Sequence, residues 1–341
     1  MNKNFVSKLA SMTGGLSAGS MEHMLPVLEK IRSLKKEKNA VVLSHYYMPP
    51  ELQILASQGG IADFVGDSLG LSIEASKTKA DAIIFCGVEF MAETAKILNP
   101  QKKVLIPDPS AGCSLASSIK AEDVKALKAK YPGVPVMVYI NTYAETKAEC
   151  DICCTSRNAL NIAASFSGKE LIFIPDKYMG MNLQKNLAKH SDKKLILWNG
   201  ACEVHEQFSG NISQLATANP TAEVLLHWEV PSRTVASSLK NNKGMVGSTT
   251  DIINYVGASS SDTFILGSEC DLGAALMGLY PSKKFITPCI VCPHMKKITL
   301  YNTLKALEAL HQENESLYRI NLEEQLLERA YLPIRKMLDF A

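Results

Sequence analysis

The feature that most constrains the fold of this chain is a pattern of residues that occurs three times along the sequence. Its best-defined member is a cysteine that follows a predicted strand, and Cys113, Cys202 and Cys292 are 89 and 90 residues apart. Pairs of polar residues at the ends of earlier strands recur in the same order, and these pairs are His45 and Tyr47, Tyr139 and Asn141, and His227 and Glu229. Solenoid repeats are about 20–50 residues long, so this longer period predicts three copies of a whole domain.

Two further features lie between the polar pair and the cysteine of each copy. One is a hydroxyl-bearing motif at a predicted helix start, which reads Gly66-Asp67-Ser68, Thr155-Ser156 and Gly247-Ser248-Thr249 in the three copies. The other is an acidic residue near the end of a strand, which is Glu89, Asp176 or Glu269. Contact with substrate and contact between domains both remain open for these acidic residues.

Short apolar runs alternate with helical stretches through most of the chain, which favours parallel sheets covered by helices on both faces. We predict strands at residues 40–47, 82–86, 104–107, 136–140, 170–174, 194–198, 223–226, 244–247, 263–266 and 284–287. The fold class is therefore α/β, with three similar α/β/α sandwich domains arranged with pseudo-threefold symmetry around a central active site. Their predicted limits are residues 21–133, 134–222 and 223–310.

The two ends of the chain are assigned separately. Residues 10–15 resemble the remnant of an expression tag, so residues 1–20 are predicted to be a disordered tag or linker. Residues 311–341 are predicted to form C-terminal helices that pack back on the body of the protein.

Composition excludes several classes of function. A net charge of +2 gives no reason to expect nucleic-acid binding or attachment to a membrane surface. No run approaches the roughly 20 apolar residues of a membrane span, and no signal peptide is visible. The nine cysteines are therefore expected to be reduced thiols in a cytoplasmic protein.

The three repeated cysteines are candidates for a shared metal centre. Ligands of α/β sheets collect at the carboxyl ends of the strands, so three domains that face one another would bring three thiolates together. Structural zinc sites normally have four ligands in close pairs, and cubane iron–sulfur clusters usually have four thiolates. A cubane with three protein ligands leaves one iron open as a Lewis acid. The hydroxyl-bearing helix starts suit a phosphate or a carboxylate.

Other interpretations remain open at this point. The three cysteines could be ordinary buried thiols, although their equal spacing argues against it. A non-catalytic iron–sulfur sensor or electron-transfer protein would not need the surrounding ring of histidines, hydroxyls and a carboxylate. A zinc hydrolase is the third possibility, but three thiolates would make the zinc too electron-rich to activate water well.

The chain resembles the quinolinate synthase family, the iron–sulfur enzymes of de novo NAD synthesis, from residue 24 to about residue 310. The motifs that carry the resemblance are His45-Tyr46-Tyr47, Gly66-Asp67-Ser68-Leu69, Ala111-Gly112-Cys113-Ser114, Tyr139-Ile140-Asn141-Thr142, Trp198-Asn199-Gly200-Ala201-Cys202, Gly247-Ser248-Thr249 and Cys292-Pro293-His294-Met295. Three motifs depart from the family pattern. Many members have a third cysteine in the C-terminal motif, where this chain has only Cys289 and Cys292. Val230 stands where the family usually has a cysteine, and Arg157 stands where it usually has a serine.

The resemblance implies an enzyme that condenses iminoaspartate with dihydroxyacetone phosphate to quinolinate, phosphate and water. It implies a [4Fe–4S] cluster on Cys113, Cys202 and Cys292, and a functional link to L-aspartate oxidase as the source of iminoaspartate. It also implies that Tyr47, Tyr139, His227 and Glu229 lie in the active site, and our hypothesis is that they are catalytic, with Glu229 as the general base. The implied substrate-binding residues are His45, Ser68, Asn141, Ser156, His227 and Thr249.

Several residues near these motifs keep two interpretations. His205 and Glu206 follow Cys202 and either act in the site or cap the next helix. Cys289 either packs or forms a disulfide with Cys292, and packing is favoured. Cys270 is expected to be a thiol that packs or faces solvent. Lys296 and Lys297 either attract anions toward the site or form a solvated helix face, and the solvated face is favoured.

Overall fold

The computed structural model describes residues 3–15 and 23–341, and its described part contains three four-stranded sheets flanked by helices. The strands are β1 (Ala40–His45), β2 (Phe64–Gly66), β3 (Ala82–Cys86), β4 (Lys103–Leu105), β5 (Val136–Tyr139), β6 (Ile152–Cys154), β7 (Glu170–Ile174), β8 (Lys194–Leu197), β9 (Glu223–His227), β10 (Gly244–Gly247), β11 (Thr263–Gly267) and β12 (Lys284–Ile286). The strand orders are β2-β1-β3-β4, β6-β5-β7-β8 and β10-β9-β11-β12. One order in all three sheets confirms three similar α/β domains.

The helices alternate with these strands, as the sequence predicts. They are α1 (Lys3–Thr13), α2 (Met24–Glu37), α3 (Pro50–Gln53), α4 (Ser68–Lys77), α5 (Glu89–Leu98), α6 (Ala121–Lys130), α7 (Ala144–Ala148), α8 (Ala159–Ser165), α9 (Lys177–Leu187), α10 (Glu203–Glu206), α11 (Asn211–Ala218), α12 (Ser232–Ser238), α13 (Thr249–Ala258), α14 (Cys270–Leu279), α15 (Leu300–Ala309) and α16 (Glu324–Leu338). None of the helices in residues 3–15 and 23–341 combines the length and the apolar character needed to cross a membrane.

The central strand of each sheet places a polar pair at its carboxyl end. Strand β1 pairs in parallel with β2 and β3, β5 with β6 and β7, and β9 with β10 and β11. These three central strands end at His45, Tyr139 and His227. The residues that start each repeat therefore lie where parallel sheets collect their ligands.

Two of the observed strands are not predicted from the sequence. Strands β2 and β6 have three residues each, and the sequence predicts neither of them, although it predicts β4 and β12, which are equally short. Both pair with the central strand of their sheet and lead to the hydroxyl-bearing motifs that begin with Gly66 and Thr155.

By internal contacts the chain divides into two compact units. The first contains residues 1–112, 269–284 and 291–322, and so the first sheet with α1, α2, α14 and α15. The second contains residues 113–268, 285–290 and 323–341, and so nearly all of the second and third sheets together with α16.

The N-terminal segment differs from its prediction. Residues 3–13 form helix α1, in which Phe5, Leu9 and Met12 are buried against α14 within the first unit. Three apolar side chains at positions i, i+4 and i+7 give this helix one apolar face, which explains why it packs. Disorder is therefore a wrong prediction for residues 3–13, while residues 1–2 and 16–20 of the predicted segment lie outside the described residues.

The last helix packs on the second sheet's domain. Helix α16 contacts β6 and α7 within the second unit, with Ala330, Ile334 and Met337 buried. The Asn158 side-chain amide donates to the Met337 carbonyl oxygen at 3.3 Å.

Candidate functional site

The centre of the site in the second unit is the buried carboxylate of Glu229. Its Oε2 lies 2.8 Å from His205 Nδ1, and its Oε1 lies 3.5 Å from the Asn141 amide nitrogen. Tyr139 also hydrogen-bonds to this carboxylate. Burial by itself would raise the pKa of Glu229, but the charge and hydrogen bond of His205 outweigh burial and hold the pKa at about 2. Glu229 is therefore ionised at neutral pH.

His227 lies beside this carboxylate at the end of β9. Its ring stacks on the ring of His205 with the centroids 4.8 Å apart, and its Nδ1 accepts the Glu229 backbone N–H at 3.4 Å. Burial lowers the pKa of His227 to about 4, so this imidazole is neutral at pH 7. A neutral ring can either accept or donate a hydrogen bond toward a substrate.

Cys202 adjoins the same group of residues. Its Sγ lies 3.2 Å from His205 Nδ1, and its backbone N–H donates to Asp176 Oδ2 at 3.2 Å. Burial raises the pKa of the Cys202 thiol, and the nearby Glu229 and Cys113 raise it further.

The loop of Cys113 packs on the segment that precedes Cys202. The Trp198 indole N–H donates to the Ser118 carbonyl oxygen at 3.0 Å, and a Cβ added at Gly200 would lie 2.4 Å from Ser118 Oγ. The Cys113 backbone N–H donates to the Tyr143 hydroxyl at 3.3 Å. The same Cβ at Gly200 would lie 2.6 Å from the Pro175 carbonyl oxygen, which is a backbone atom, so the close packing at position 200 favours glycine.

Cys292 belongs to the first unit, where a lysine and an acid organise its surroundings. Its backbone N–H donates to Glu269 Oε1 at 3.1 Å, and the same carboxylate lies 2.6 Å from Lys296 Nζ. Lys296 also donates to the Tyr47 carbonyl oxygen at 2.7 Å and to Asp271 Oδ2 at 2.5 Å. The expectation that Lys296 is solvated is thus wrong, whereas Lys297 is exposed as predicted.

His45 and Tyr47 pair as the sequence suggests. Their rings meet edge to face with centroids 4.6 Å apart, and His45 Nδ1 accepts the Tyr47 backbone N–H at 3.1 Å. Both residues are buried.

The hydroxyl-bearing motifs differ in detail from their prediction. Ser68 and Thr249 are the first residues of α4 and α13, while the caps are Asp67, which accepts the Gly70 N–H, and Ser248. Ser156 lies in the turn before α8, which begins only at Ala159. Cap side chains and first-turn hydroxyls are adjacent in sequence, and the pattern alone does not separate them.

The other cysteines fall into two groups. Cys86, Cys150, Cys153 and Cys154 are buried free thiols, and burial raises the pKa of both Cys86 and Cys153 to about 12. Cys270 and Cys289 are disulfide-bonded. The expectation of thiols at these two positions is wrong, and so is the alternative of a bond from Cys289 to Cys292, which is free.

Sequence reasoning left His205 undecided, and it missed the roles of Asp176, Glu269 and Lys296. His205 lies within hydrogen-bonding distance of both Cys202 and Glu229. Glu206 is not part of this group, and its carboxylate accepts a hydrogen bond from the Tyr178 hydroxyl at 3.0 Å. The repeat does mark Asp176 and Glu269, but it does not say which groups their carboxylates bind.

The cysteines present suit an iron–sulfur cluster. Cys113, Cys202 and Cys292 form no disulfide and are only partly buried, unlike the four thiols of the core. Thiolates are the protein ligands that such clusters use. Near Cys202, Asn141 Oδ1 and His205 Nε2 are buried with no hydrogen-bond partner in the described part of the chain, which leaves polar atoms for a bound group. Donor atoms of Cys202, His205 and Glu229 also lie within 4.8 Å of one another.

Comparisons with known proteins agree on one family. Residues 29–339 match the family model described as "Quinolinate synthetase A protein". The chain is 43% identical to "Quinolinate synthase" of Caulobacter vibrioides (strain NA1000 / CB15N) over 92% of this chain and 82% of that protein. It is 44% identical to "Quinolinate synthase 2" of Mesorhizobium japonicum over 91% of this chain and 90% of that protein, and 42% identical to "Quinolinate synthase" of Xylella fastidiosa over 91% and 86%.

Proposed function

Because the chain belongs to the quinolinate synthetase A family, we propose that it condenses iminoaspartate with dihydroxyacetone phosphate to give quinolinate, phosphate and water. The observation that carries the proposal is the buried group formed by Tyr139, Asn141, His205, His227 and Glu229 beside Cys202. An electron-transfer protein has no use for an ionised acid and a neutral histidine buried next to a cluster ligand.

In this proposal Cys113, Cys202 and Cys292 hold a [4Fe–4S] cluster. When bound, the cluster supplies an iron without a protein ligand, which is a Lewis acid for a substrate oxygen. Placing the thiolates on loops after strands leaves the side chains at the strand ends free to bind substrate.

Glu229 is the proposed general base. Condensation and aromatisation require removal of protons from carbon, and Glu229 is already the carboxylate that accepts them. His205 Nδ1 at 2.8 Å stabilises that charge in a buried position. Tyr139 and Asn141 also hydrogen-bond to the carboxylate, and His227 offers a neutral ring to a carboxylate or carbonyl oxygen of the substrate.

The remaining residues are assigned to binding. Ser68 and Thr249, in the first turns of α4 and α13, are placed where N–H groups and the helix dipole favour anions, and Ser156 lies in the turn before α8. We assign them to the phosphate and carboxylates of the substrates. His45 and Tyr47, which contact each other, orient the substrate and transfer protons.

The first test is purification without oxygen, followed by iron and sulfide analysis and an assay for quinolinate formed from the two substrates. Iron and sulfide in about a 1:1 ratio together with quinolinate formation are expected, as a cubane requires. A colourless protein without iron would overturn the proposal that the chain binds an iron–sulfur cluster. A protein that contains the cluster but makes no quinolinate would instead support a sensor or electron-transfer function.

Replacement of the base is the second test. Glu229→Gln keeps the shape but not the charge, and we expect kcat to fall by about 100- to 10,000-fold, the range of general base catalysis, with iron content unchanged. The matched control is Glu206→Gln on the neighbouring exposed side, which should retain activity. If the Glu229 variant has its full iron content and turns over at the wild-type rate, Glu229 is not the general base.

A further inference from the structure

Asp176 uses its two carboxylate oxygens for different partners. The Oδ1 atom accepts the Met179 backbone N–H at 2.7 Å and thereby caps α9. The Oδ2 atom accepts the Cys202 backbone N–H at 3.2 Å. The neighbouring backbone adds a third link, because the Lys177 N–H donates to the Gly200 carbonyl oxygen at 2.8 Å. Asp176 is fully buried.

Glu269 makes the same two contacts in the next copy of the repeat. Its Oε2 accepts the Asp271 backbone N–H at 2.8 Å at the start of α14, and its Oε1 accepts the Cys292 N–H at 3.1 Å. Glu269 is only 1% exposed, and Lys296 pairs with it at 2.6 Å. Asp176 and Glu269 follow the equivalent strands β7 and β11.

A helix cap does not explain this arrangement. One side-chain oxygen satisfies a cap, and an uncharged serine or threonine does so without the cost of burying a charge. Burial raises the pKa of both Asp176 and Glu269, which records that cost. In both residues the oxygen that is not needed for the cap binds the backbone of a repeated cysteine.

In the first domain the backbone makes part of this link. The cap of α5 is Val88, whose side chain accepts no hydrogen bond. The Glu89 N–H donates to the Ala111 carbonyl oxygen at 2.8 Å, two residues before Cys113. Lys177 and Gly200 make the same contact two residues before Cys202. Each of the two contacts joins the start of a helix to the loop that carries a cysteine.

We propose that Asp176 and Glu269 are equivalent positioning residues that hold the Cys202 and Cys292 loops in the conformation that binds the cluster. The inference rests on the proposed function, since it needs the cluster. A hydrogen bond to the backbone N–H fixes the position of the cysteine backbone, and so the position from which the side chain extends. This matters because a cubane binds a thiolate only within a narrow range of iron–sulfur distances. Outer-shell partners of this kind change metal affinity by about 10- to 100-fold when they are removed.

Asp176→Ser and Glu269→Ser are the variants of choice, because serine can still cap the helix but is too short to hold the cysteine as well. Asp123→Ala is the matched control. Asp123 accepts the Lys120 N–H at 2.9 Å at the start of α6, which is a cap without a cysteine. Each protein is loaded with iron and sulfide without oxygen, and loss of cluster absorbance to an iron chelator is then timed.

The two serine variants are expected to lose the cluster about 10- to 100-fold faster than wild type. The melting temperature of cluster-free Asp176→Ser should stay close to that of Asp123→Ala. Cluster-free Glu269→Ser also loses its ion pair with Lys296 and should melt at a lower temperature, so its comparison rests on the rate of cluster loss and on rescue by Glu269→Asp. Restoring reach with Asp176→Glu or Glu269→Asp should slow the loss again, which a merely structural effect would not do.

Two outcomes would overturn the inference, and they are distinguishable. Serine variants that retain the cluster as long as wild type would remove the positioning role and leave the proposed function intact. A wild-type protein that binds no iron and sulfide would overturn both.

Discussion

At the scale of single residues, Glu229 shows how one neighbour decides a protonation state. A carboxyl group buried as deeply as this one is ordinarily protonated, as burial raises the pKa of Asp176. Glu229 differs because His205 Nδ1 lies 2.8 Å away and donates to it. The sequence marks Glu229 through its repeat position, but the histidine that keeps it ionised lies in the short helix α10, 24 residues earlier in the chain.

His227 gives a residue-scale prediction about pH. Its pKa is about 4 in the folded state, against about 6.5 in an unfolded chain. Between these values the unfolded chain binds a proton that the folded chain does not, so His227 lowers the free energy of unfolding as pH falls from 6.5 to 4. The loss is at most about 3 kcal/mol, and it is absent above pH 7.

Urea unfolding of the cluster-free wild type and of His227→Gln at several pH values measures this loss. The wild-type free energy of unfolding should fall more steeply than that of the variant between pH 6.5 and 4, and the two should run in parallel above pH 7. Curves that stay parallel down to pH 4 would show that His227 is protonated normally in the folded protein.

At the scale of elements, the short turn at residues 295–297 contacts two distant segments of the first unit through one lysine side chain. Lys296 reaches from this turn to Glu269 and Asp271, and to the backbone of Tyr47. Glu51 adds to the acidic surroundings, and burial raises its pKa. A lysine near a cysteine motif looks like a solvated residue in the sequence, because the acids that surround it lie in distant segments.

Removing this lysine is therefore expected to destabilise the protein. Lys296→Met leaves Glu269 buried without its cation, and we expect a loss of about 2–4 kcal/mol, somewhat below a fully buried pair because Lys296 is 24% exposed. The control is Lys297→Met, which removes one exposed contact to the Ser110 carbonyl oxygen and should change stability by less than about 1 kcal/mol. Denaturant unfolding of the cluster-free proteins measures both, and equal effects would contradict the ion-pair assignment.

At the scale of the whole molecule, the repeat explains why the same kinds of polar residue lie at equivalent places in the three sheets. Each sheet has the same strand order and ends its central strand in a polar pair. The C-terminal segment is not part of the repeat, because α16 packs on β6 and α7 of the second sheet's domain.

Deletion of the C-terminal segment tests whether the packing of α16 stabilises this domain. A chain that ends at Leu322 exposes the surface covered by Ile334 and Met337, and burial of each such side chain is worth about 1.5–3 kcal/mol. We expect a melting temperature lower by several degrees or more, while a control chain that ends at Leu338 should melt like the full chain. If both truncated chains melt alike, α16 contributes no stability to the domain.

The sequence by itself determined the α/β class, the triplication, most of the strands and the positions of the three cysteines. These features are recorded locally, as apolar runs and as motifs that return at one spacing. It did not reveal strands β2 and β6, helix α1, or the disulfide state of Cys270 and Cys289.

Only the tertiary structure decided which side chains meet. His205 lies against Glu229, Asp176 against the Cys202 backbone, and Glu269 against the Cys292 backbone. Such contacts join segments more than 20 residues apart, and they depend on how each loop leaves its strand. Strand patterns fix where a loop begins, whereas packing of the loop fixes which atoms come within hydrogen-bonding distance.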